Sequence, residues 1–582
     1  MKSHSFPEKY KNCIIAILTI AVNIVLLSTC FDFYYDLNDD VMMKNIMAGV
    51  YTGTPDGHNM QTLYILGAFI SLCYKLCRPI AWYGVFLLFC QMGSLYLVGV
   101  RLLKLSESRL AKAGSMLLLS MFTWGIILSH MAALQYTFTC AMLAGAAVFL
   151  FMTTPEELSV KQFVICNIPS MGLVVLAYQL RTEMLLLVFP FICLAGLFRW
   201  AEEEKFFQKE NYCKYGIVLG CILIGMIFSR VIDFAAYGSN EWRKFIVFFE
   251  DRTQVYDFHP NVITSGEHKD FLASIGLSDM EQELLANYNF GLSEKIDEEI
   301  LSEIAAYASS DTDYFSDIPK HCKFYLYRTL HETDAPYNRL VVFGYLCLAF
   351  IGVYVIITDR TDKKKISVLW ELLLLGFVRT CLWMFILIRG RDPERITHSL
   401  YLVETMVLAG LLCKNISFRK NSAPVIAALC GLLCVCYLPH QLTRVFAEQE
   451  RREEVNRDNA AIMQYCREHP DNFYFEDVYS TVGFSEKIFK DVDNSLANYD
   501  IMGGWMCKSP LYREKLEKFG IVTMEEALLS NDNVYYIMET GTPDSSTDWL
   551  QAYYREKGIA VSIESVESIG DGYKVYRIER GE

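Results

Sequence analysis

The chain has 582 residues, 53% of them hydrophobic and 14% aromatic, and its mean hydropathy is positive. That is too apolar for an ordinary soluble protein of this length and places the chain among membrane proteins. The net charge of −14 gathers in stretches such as SDMEQELL and KIDEEILSEI, which argues against nucleic acid as a partner and leaves membrane lipids as the expected surroundings.

A bilayer core takes about 20 apolar residues per helix. Such runs lie near 12–30, 80–100, 113–130, 132–152, 162–180, 183–200, 214–233, 340–358, 366–388, 399–413 and 422–439. The expected fold class is therefore an α-helical polytopic membrane protein with about eleven spans. Lys2, Lys9 and Lys11 set the amino terminus inside, and the basic stretches RLLKLSESRLAK, RWAEEEKFFQKENYCK, DRTDKKK and KNISFRK then share that side. This parity requires LYILGAFISLCYKL, 63–76, to be a surface or re-entrant helix, because one more crossing would invert every later loop. The first run reads as a retained anchor, since LSTC at 27–30 is a poor cleavage site and ten further spans follow. Outside then lie the loop 31–80, a long loop 235–338, RGRDPERITH at 389–398 and everything from 440.

Past 440 the composition becomes that of a soluble domain. TRVFAEQERREEVNRDNAAIMQYCREH reads as a charged helix leaving the membrane, NFYFED and NVYYIME as buried strands, DWLQAYYREKG as a helix stopped at Gly558, and AVSIESVESI with GYKVYRIE as a closing hairpin. We thus expect a transmembrane domain, 1–439, and a small extracytoplasmic α/β domain, 440–582. The 19 cysteines sit mostly in the apolar runs, where the thiol behaves as a small hydrophobe, and their spacing supports neither a disulfide framework nor a zinc site.

FDFYYDLNDD, 31–40, crowds Asp32, Asp36, Asp39 and Asp40 where the first helix emerges. A loop that stays wet explains any one of them. Adjacent acids such as Asp39 and Asp40, however, repel one another, which raises a pKa or recruits a divalent metal such as Mg or Mn, and either outcome suits proton abstraction. Asp56 and His58 follow in a turn-rich loop, with His58 a candidate to line the same cavity. Arg181 and Glu183 occupy the turn between the fifth and sixth runs, as a structural ion pair or as lining of the same cavity. Arg379 and Glu404 lie inside spans, where isolated charge is costly, and are expected to pair with each other, or else to line the cavity in a catalytic or lipid-phosphate role.

Arg389, Arg391, Arg395 and His398 cluster at the expected outer membrane surface. Guanidinium groups there suit a phosphate, taken in bidentate fashion, or else lipid headgroups and the local Asp392 and Glu394. In the long loop, Trp242, Arg252 and Asp257 stand among aromatic residues, a composition that fits sugar binding and an interfacial belt alike. DTD at 311–313 and DVD at 491–493 read as solvated loops.

The order of first helix, acidic first outer loop, surface helix, long second outer loop and exported carboxyl-terminal domain resembles the C-type (GT-C) glycosyltransferases along nearly the full chain. The resemblance implies transfer of a sugar from a polyprenyl-(pyro)phosphate-linked donor to an extracytoplasmic glycan, teichoic acid or lipid acceptor at the plasma membrane. It implies that Asp39 or Asp40 serves as base for the acceptor hydroxyl or helps hold a metal. It also implies that Lys44, one helical turn beyond Asp40, faces the donor phosphate together with Arg389, Arg391 and Arg395. The paired proline of the mannosyltransferases is absent after the acid, and GGWM at 503–506 does not match the oligosaccharyltransferase WWDYG signature, which disfavours those two activities. A transporter or flippase of lipid-linked sugars is the alternative, although most ionisable residues here sit at helix ends and not near the bilayer midplane.

Overall fold

The structure, a computed structural model, describes residues 8–203, 206–311, 317–358, 363–416, 423–489, 493–540 and 547–581. Lys2, most of DTD, DVD and KNISFRK, and the start of DRTDKKK lie outside the described residues.

Each of the eleven apolar runs is helical, over Glu8–Cys30, Trp82–Leu105, Arg109–Gly125, Tyr136–Met152, Val160–Leu180, Thr182–Ala201, Lys209–Ala236, Tyr337–Thr358, Lys363–Ile388, Glu394–Ile416 and Ala423–Glu468. Among the described residues, eight helices are long and apolar enough to cross a membrane. The run expected at 132–152 starts late because Ala133–Leu134 is extended, pairing in parallel with Tyr34–Tyr35. The resulting helix, Tyr136–Met152, is buried at every residue except Phe151, as a helix apolar on all faces must be. It forms the axis of the bundle. At the periphery, Leu18, Val22, Ile224, Ile227 and Phe228 are each more than half exposed, a surface that hydrocarbon would cover. Residues 63–76 form a helix of 13 residues, Tyr64–Leu76, below the length that crosses a bilayer.

The carboxyl-terminal strands form a five-stranded sheet. Its order is Tyr499–Ile501, Phe473–Glu476, Val534–Glu539, Tyr573–Arg580, Val561–Ile569, with the first three parallel and the last two antiparallel additions. The short strand Tyr499–Ile501 has no counterpart in the sequence reading. Phe473–Glu476 lies between two parallel neighbours and is buried at all four residues, which accounts for its unbroken NFYFE pattern. The change of composition at 440 falls inside one continuous helix, Ala423–Glu468, that joins bundle to domain.

The long loop is itself folded. Its helices Asn240–Thr253, Asp279–Ala286 and Glu298–Asp311 share one apolar core with the first loop and the sheet, in which Phe248, Leu284 and Leu301 meet Ile46, Phe473 and Tyr536. The segments at 31–80, 235–338 and 440–582 therefore occupy one end of the bundle as a unit. Gly503 marks the seam: a Cβ there would overlap the carbonyl oxygen of Tyr288 in the long loop. Gly503→Ala should lower the stability of this unit by about 1–3 kcal/mol, because backbone faces backbone and neither side can rotate away. The change is expected as a lower unfolding temperature with faster proteolysis of the domain than of the spans.

Candidate active site

The site begins with how residues 33–36 are held. Tyr35 N–H donates to the Glu486 carbonyl at 3.0 Å and Ile488 N–H to the Phe33 carbonyl at 2.8 Å, so the strand at 34–35 lies between 133–134 and 486–488. Arg452, 6% exposed, donates to the Tyr35 carbonyl at 2.9 Å, to Ser485 Oγ at 2.6 Å and to Asp36 Oδ1 at 2.7 Å. Helix Asn38–Ala48 starts immediately after this clamp, with Asp39 and Asp40 in its first turn, where carboxylates complement the helix dipole. It ends at Gly49, whose φ of 81° supplies the left-handed cap.

The four carboxylates have four different environments. Asp32 pairs with Lys487 at 2.6 Å, and Asp36 with Arg452. Consecutive helical residues diverge by roughly 100°, so Asp39 and Asp40 point into different surroundings. Asp39 lines a large cavity and accepts a hydrogen bond from Trp505 Nε1 at 3.0 Å. Asp40 is completely buried behind it and accepts from Tyr83 Oη at 2.8 Å. Burial holds the Asp40 carboxyl well above the usual carboxylate range; Asp36 and Asp39 push the same way, against the Tyr83 bond. Among the described residues no three His, Cys, Asp or Glu side chains gather as a metal site.

The cavity measures about 880 Å³ and has three walls. The first is the acidic helix with Asp39 and Asn45. The second is the domain-bearing end of the bundle, contributing Arg181, Glu183, Arg389, Arg391 and Arg395, joined by Arg252 and Asp257 of the long loop. The third is the carboxyl-terminal domain, with Glu476, Tyr499, Asp500, Trp505 and Lys515. Tyr136 lines the cavity together with Asp39, Arg181 and Arg395. Leu186 and Phe385 also line the cavity and are 51% and 50% exposed, so there the cavity reaches the apolar outside of the bundle.

The arginines of RGRDPERITH are not consumed by their own neighbours. Asp392 is bound by Arg328 and Glu394 by Arg444. Arg391 instead meets Asp257 at 3.1 Å, and Arg389 lies over the Phe385 ring at 4.6 Å. Arg181 pairs with Glu183 at 3.1 Å, bonds Gln61 and covers the Tyr136 ring at 5.1 Å. Five guanidinium groups thus face three carboxylates, Asp39, Glu183 and Asp257, on this side of the cavity.

Other expected residues lie elsewhere. Lys44 is buried against Glu486 at 2.7 Å and does not line the cavity, because it shares the inward face of its helix with Asp40. His58 bonds Asp56 at 2.6 Å and stacks on Trp242 at 4.9 Å, so both rings serve the core beneath the long loop. His398 is buried against His130 at 2.9 Å. Arg379 and Glu404 pair at 3.5 Å within the spans, with Tyr345 Oη donating to the same carboxylate at 2.8 Å.

The sequence reading missed Glu476, Asp500 and Lys515. Lys515 pairs with Asp500 at 3.2 Å, and Glu476, next in the strand after the residue opposite Asp500 and so on the other face of the sheet, is buried with no hydrogen bond at Oε1. Burial, reinforced by Asp500 and opposed by Lys515, raises the Glu476 carboxyl to about 8. The one local signal is that NFYFED carries an acid at the end of an otherwise apolar strand.

The state of Asp40 is testable. A carboxyl whose folded pKa stands above its unfolded value binds more protons when folded, so its share of stability is complete below the ordinary range near 3.8 and is lost as pH rises towards the folded pKa. Asp40→Asn, which fixes the neutral form, should unfold at a temperature less sensitive to rising pH than wild type. Parallel thermal-denaturation profiles would refute the assignment.

No family model and no curated protein matches this chain. Among solved structures it is similar to ArnT from Cupriavidus metallidurans bound to undecaprenyl phosphate, at 11% identity over 96% of this chain and 97% of that one, with a TM-score of 0.41. The apo form of the same protein gives 9% identity over 97% of each chain and a TM-score of 0.40. At these scores the likeness assigns no role to any residue here.

Proposed function

We propose that the chain is a membrane glycosyltransferase of the C type, which moves a sugar from a polyprenyl-phosphate or pyrophosphate donor to the hydroxyl of an extracytoplasmic glycan or lipid acceptor. The observation that carries this reading is the meeting, in one cavity open to the apolar outside of the bundle, of a carboxylate with an excess of arginines. A lipid-linked donor requires that combination: an apolar flank for its tail, cations for its phosphate and a base for the incoming hydroxyl.

In this mechanism the prenyl tail passes between Leu186 and Phe385, and Arg389, Arg391, Arg395 and Arg181 bind phosphate oxygens. The acceptor oxygen attacks the anomeric carbon as its proton passes to Asp39. The bond from that carbon to the phosphate oxygen breaks, and its electron pair stays on the departing phosphate, where the fixed guanidinium groups meet the growing charge. Trp505 holds one Asp39 oxygen, which fixes the rotamer of the base. Asp40, enclosed and with its carboxyl pushed up by burial, supports the helix from the core side.

Transfer of label from a panel of polyprenyl-phosphate sugars, measured in nanodiscs at equal folded amounts, tests this reading. Asp39→Asn should lose roughly 10²–10⁴-fold in rate while still binding donor. Asp40→Asn should stay within a few-fold of wild type. Arg391→Ala and Arg395→Ala should weaken donor binding by about tenfold or more. Donor binding without transfer to any acceptor, with Asp39→Asn behaving as wild type, would overturn the reading in favour of a transporter.

A further inference from the structure

We propose that Arg252, held in place by Tyr288, forms a second anion subsite on the long-loop wall of the cavity, for a phosphate group carried by the acceptor. That its ligand is the acceptor rests on the transferase reading above. Arg252 lies near the end of the helix Asn240–Thr253 and lines the cavity. Its Nη1 donates to Tyr288 Oη, its Nη2 donates to Thr253 Oγ1 at 3.2 Å, and the guanidinium lies over the Phe249 ring at 5.3 Å. None of these partners is a carboxylate. The flanking acids are already taken, Asp251 by Ser302 and Asp257 by Arg391. Arg252 is 6% exposed, pairs with no acid among the described residues and leaves Nε without a hydrogen bond. A guanidinium does not shed its proton, and two of its five N–H groups are engaged here. A buried cation with no counterion is costly, and an anion entering the cavity would supply one.

The backbone around this pair is irregular in two places. Gln254–Phe258 is a single π-helical turn directly after the helix that bears Arg252, a distortion that recurs at functional sites. Tyr288 has a φ of 68°, in the left-handed region that aromatic residues rarely enter, and its carbonyl is lodged against Gly503 of the carboxyl-terminal domain. Such a conformation persists only where the surroundings fix it. Here it sets the phenol against Arg252.

Position separates Arg252 from the donor arginines. Arg389, Arg391 and Arg395 belong to the bundle wall, and Arg389 covers Phe385 at the apolar opening. Arg252 belongs to the seam between long loop and domain. Phe249 beneath it meets Trp505 edge-on at 6.4 Å, Trp505 holds Asp39, and Tyr288 reaches Tyr479 of the domain at 6.0 Å. Two rings thus link Arg252 to the base that activates the acceptor hydroxyl, whereas the donor phosphate stays with its tail at the bundle wall. A phosphate on the acceptor and the second phosphate of a pyrophosphate donor share the chemistry this cation selects. The experiment separates the two.

Glycerol phosphate and uncharged glycerol are offered to the full chain in nanodiscs, with undecaprenyl phosphate saturating the donor arginines, and binding is read by saturation-transfer NMR. Wild type should bind glycerol phosphate and not glycerol. Arg252→Gln should lose about tenfold or more of that affinity, while Arg252→Lys, which keeps the charge, should retain part of it. Both variants should bind undecaprenyl phosphate as wild type does, which also shows them folded. In the transfer assay Arg252→Gln should raise KM for phosphate-bearing acceptors and leave it for neutral ones. Failure of donor-loaded wild type to bind glycerol phosphate, equal binding by Arg252→Gln, or loss of undecaprenyl phosphate binding in both variants would overturn the proposal. Weakened binding of undecaprenyl pyrophosphate, but not undecaprenyl phosphate, in Arg252→Gln would assign the anion to the donor and overturn it too. Glycerol phosphate binding by wild type with no transfer to any acceptor would count against the transferase reading and leave the anion subsite standing.

Discussion

The position of Asp39 depends on Arg452. This buried guanidinium rises from the helix Ala423–Glu468 and gathers the carbonyl of Tyr35, the Asp36 carboxylate and the Ser485 hydroxyl into one knot. Three parts of the chain that are far apart in sequence thereby become one wall. With residues 33–36 fixed on both edges, the next helix has a single direction in which to start. Its first turn delivers Asp39 to the cavity and Asp40 to the core.

Charge is partitioned with the same economy. The acids nearest to Arg389, Arg391 and Arg395 in sequence are bound by Arg328 and Arg444, which come from other elements. Asp334, fully buried, takes Arg328 through both oxygens at 2.7 and 2.9 Å, so that cation anchors the segment at 389–398 and lies off the cavity. The cavity is left cationic on the bundle side and of mixed donor and acceptor character on the domain side. Three of the cavity's cations are held by acids that line the same cavity, Arg181 by Glu183, Arg391 by Asp257 and Lys515 by Asp500.

Much of this was legible in the sequence. The apolar runs, the alternation in GYKVYRIE and the glycine after DWLQAYYREK mark their elements because each depends on local periodicity. Asp40 was legible in principle too: it stands at i−3 and i−7 from Met43 and Met47, both wholly buried, and so lies on their stripe. What the sequence concealed are partners supplied from hundreds of residues away. Lys44 reads as a free cation until Glu486 arrives beside it, and Asp500 has no visible partner until Lys515 folds against it. The late start of Tyr136–Met152 is of the same kind, since pairing with Tyr34–Tyr35 overrides the local apolar run.

The helix Ala423–Glu468 has 46 residues, which at about 1.5 Å each makes a rod of roughly 70 Å. One end is seated among the spans and the other carries a wall of the cavity. A rod of that length is a lever: a small tilt at the membrane becomes a displacement of several ångströms at the sheet. Its single internal proline, Pro439, removes a backbone hydrogen bond close to where the helix leaves the apolar run. Bending concentrates at such a point. The width of the cavity is therefore mechanically linked to the pose of one helix in the bilayer, with the fulcrum written into the sequence.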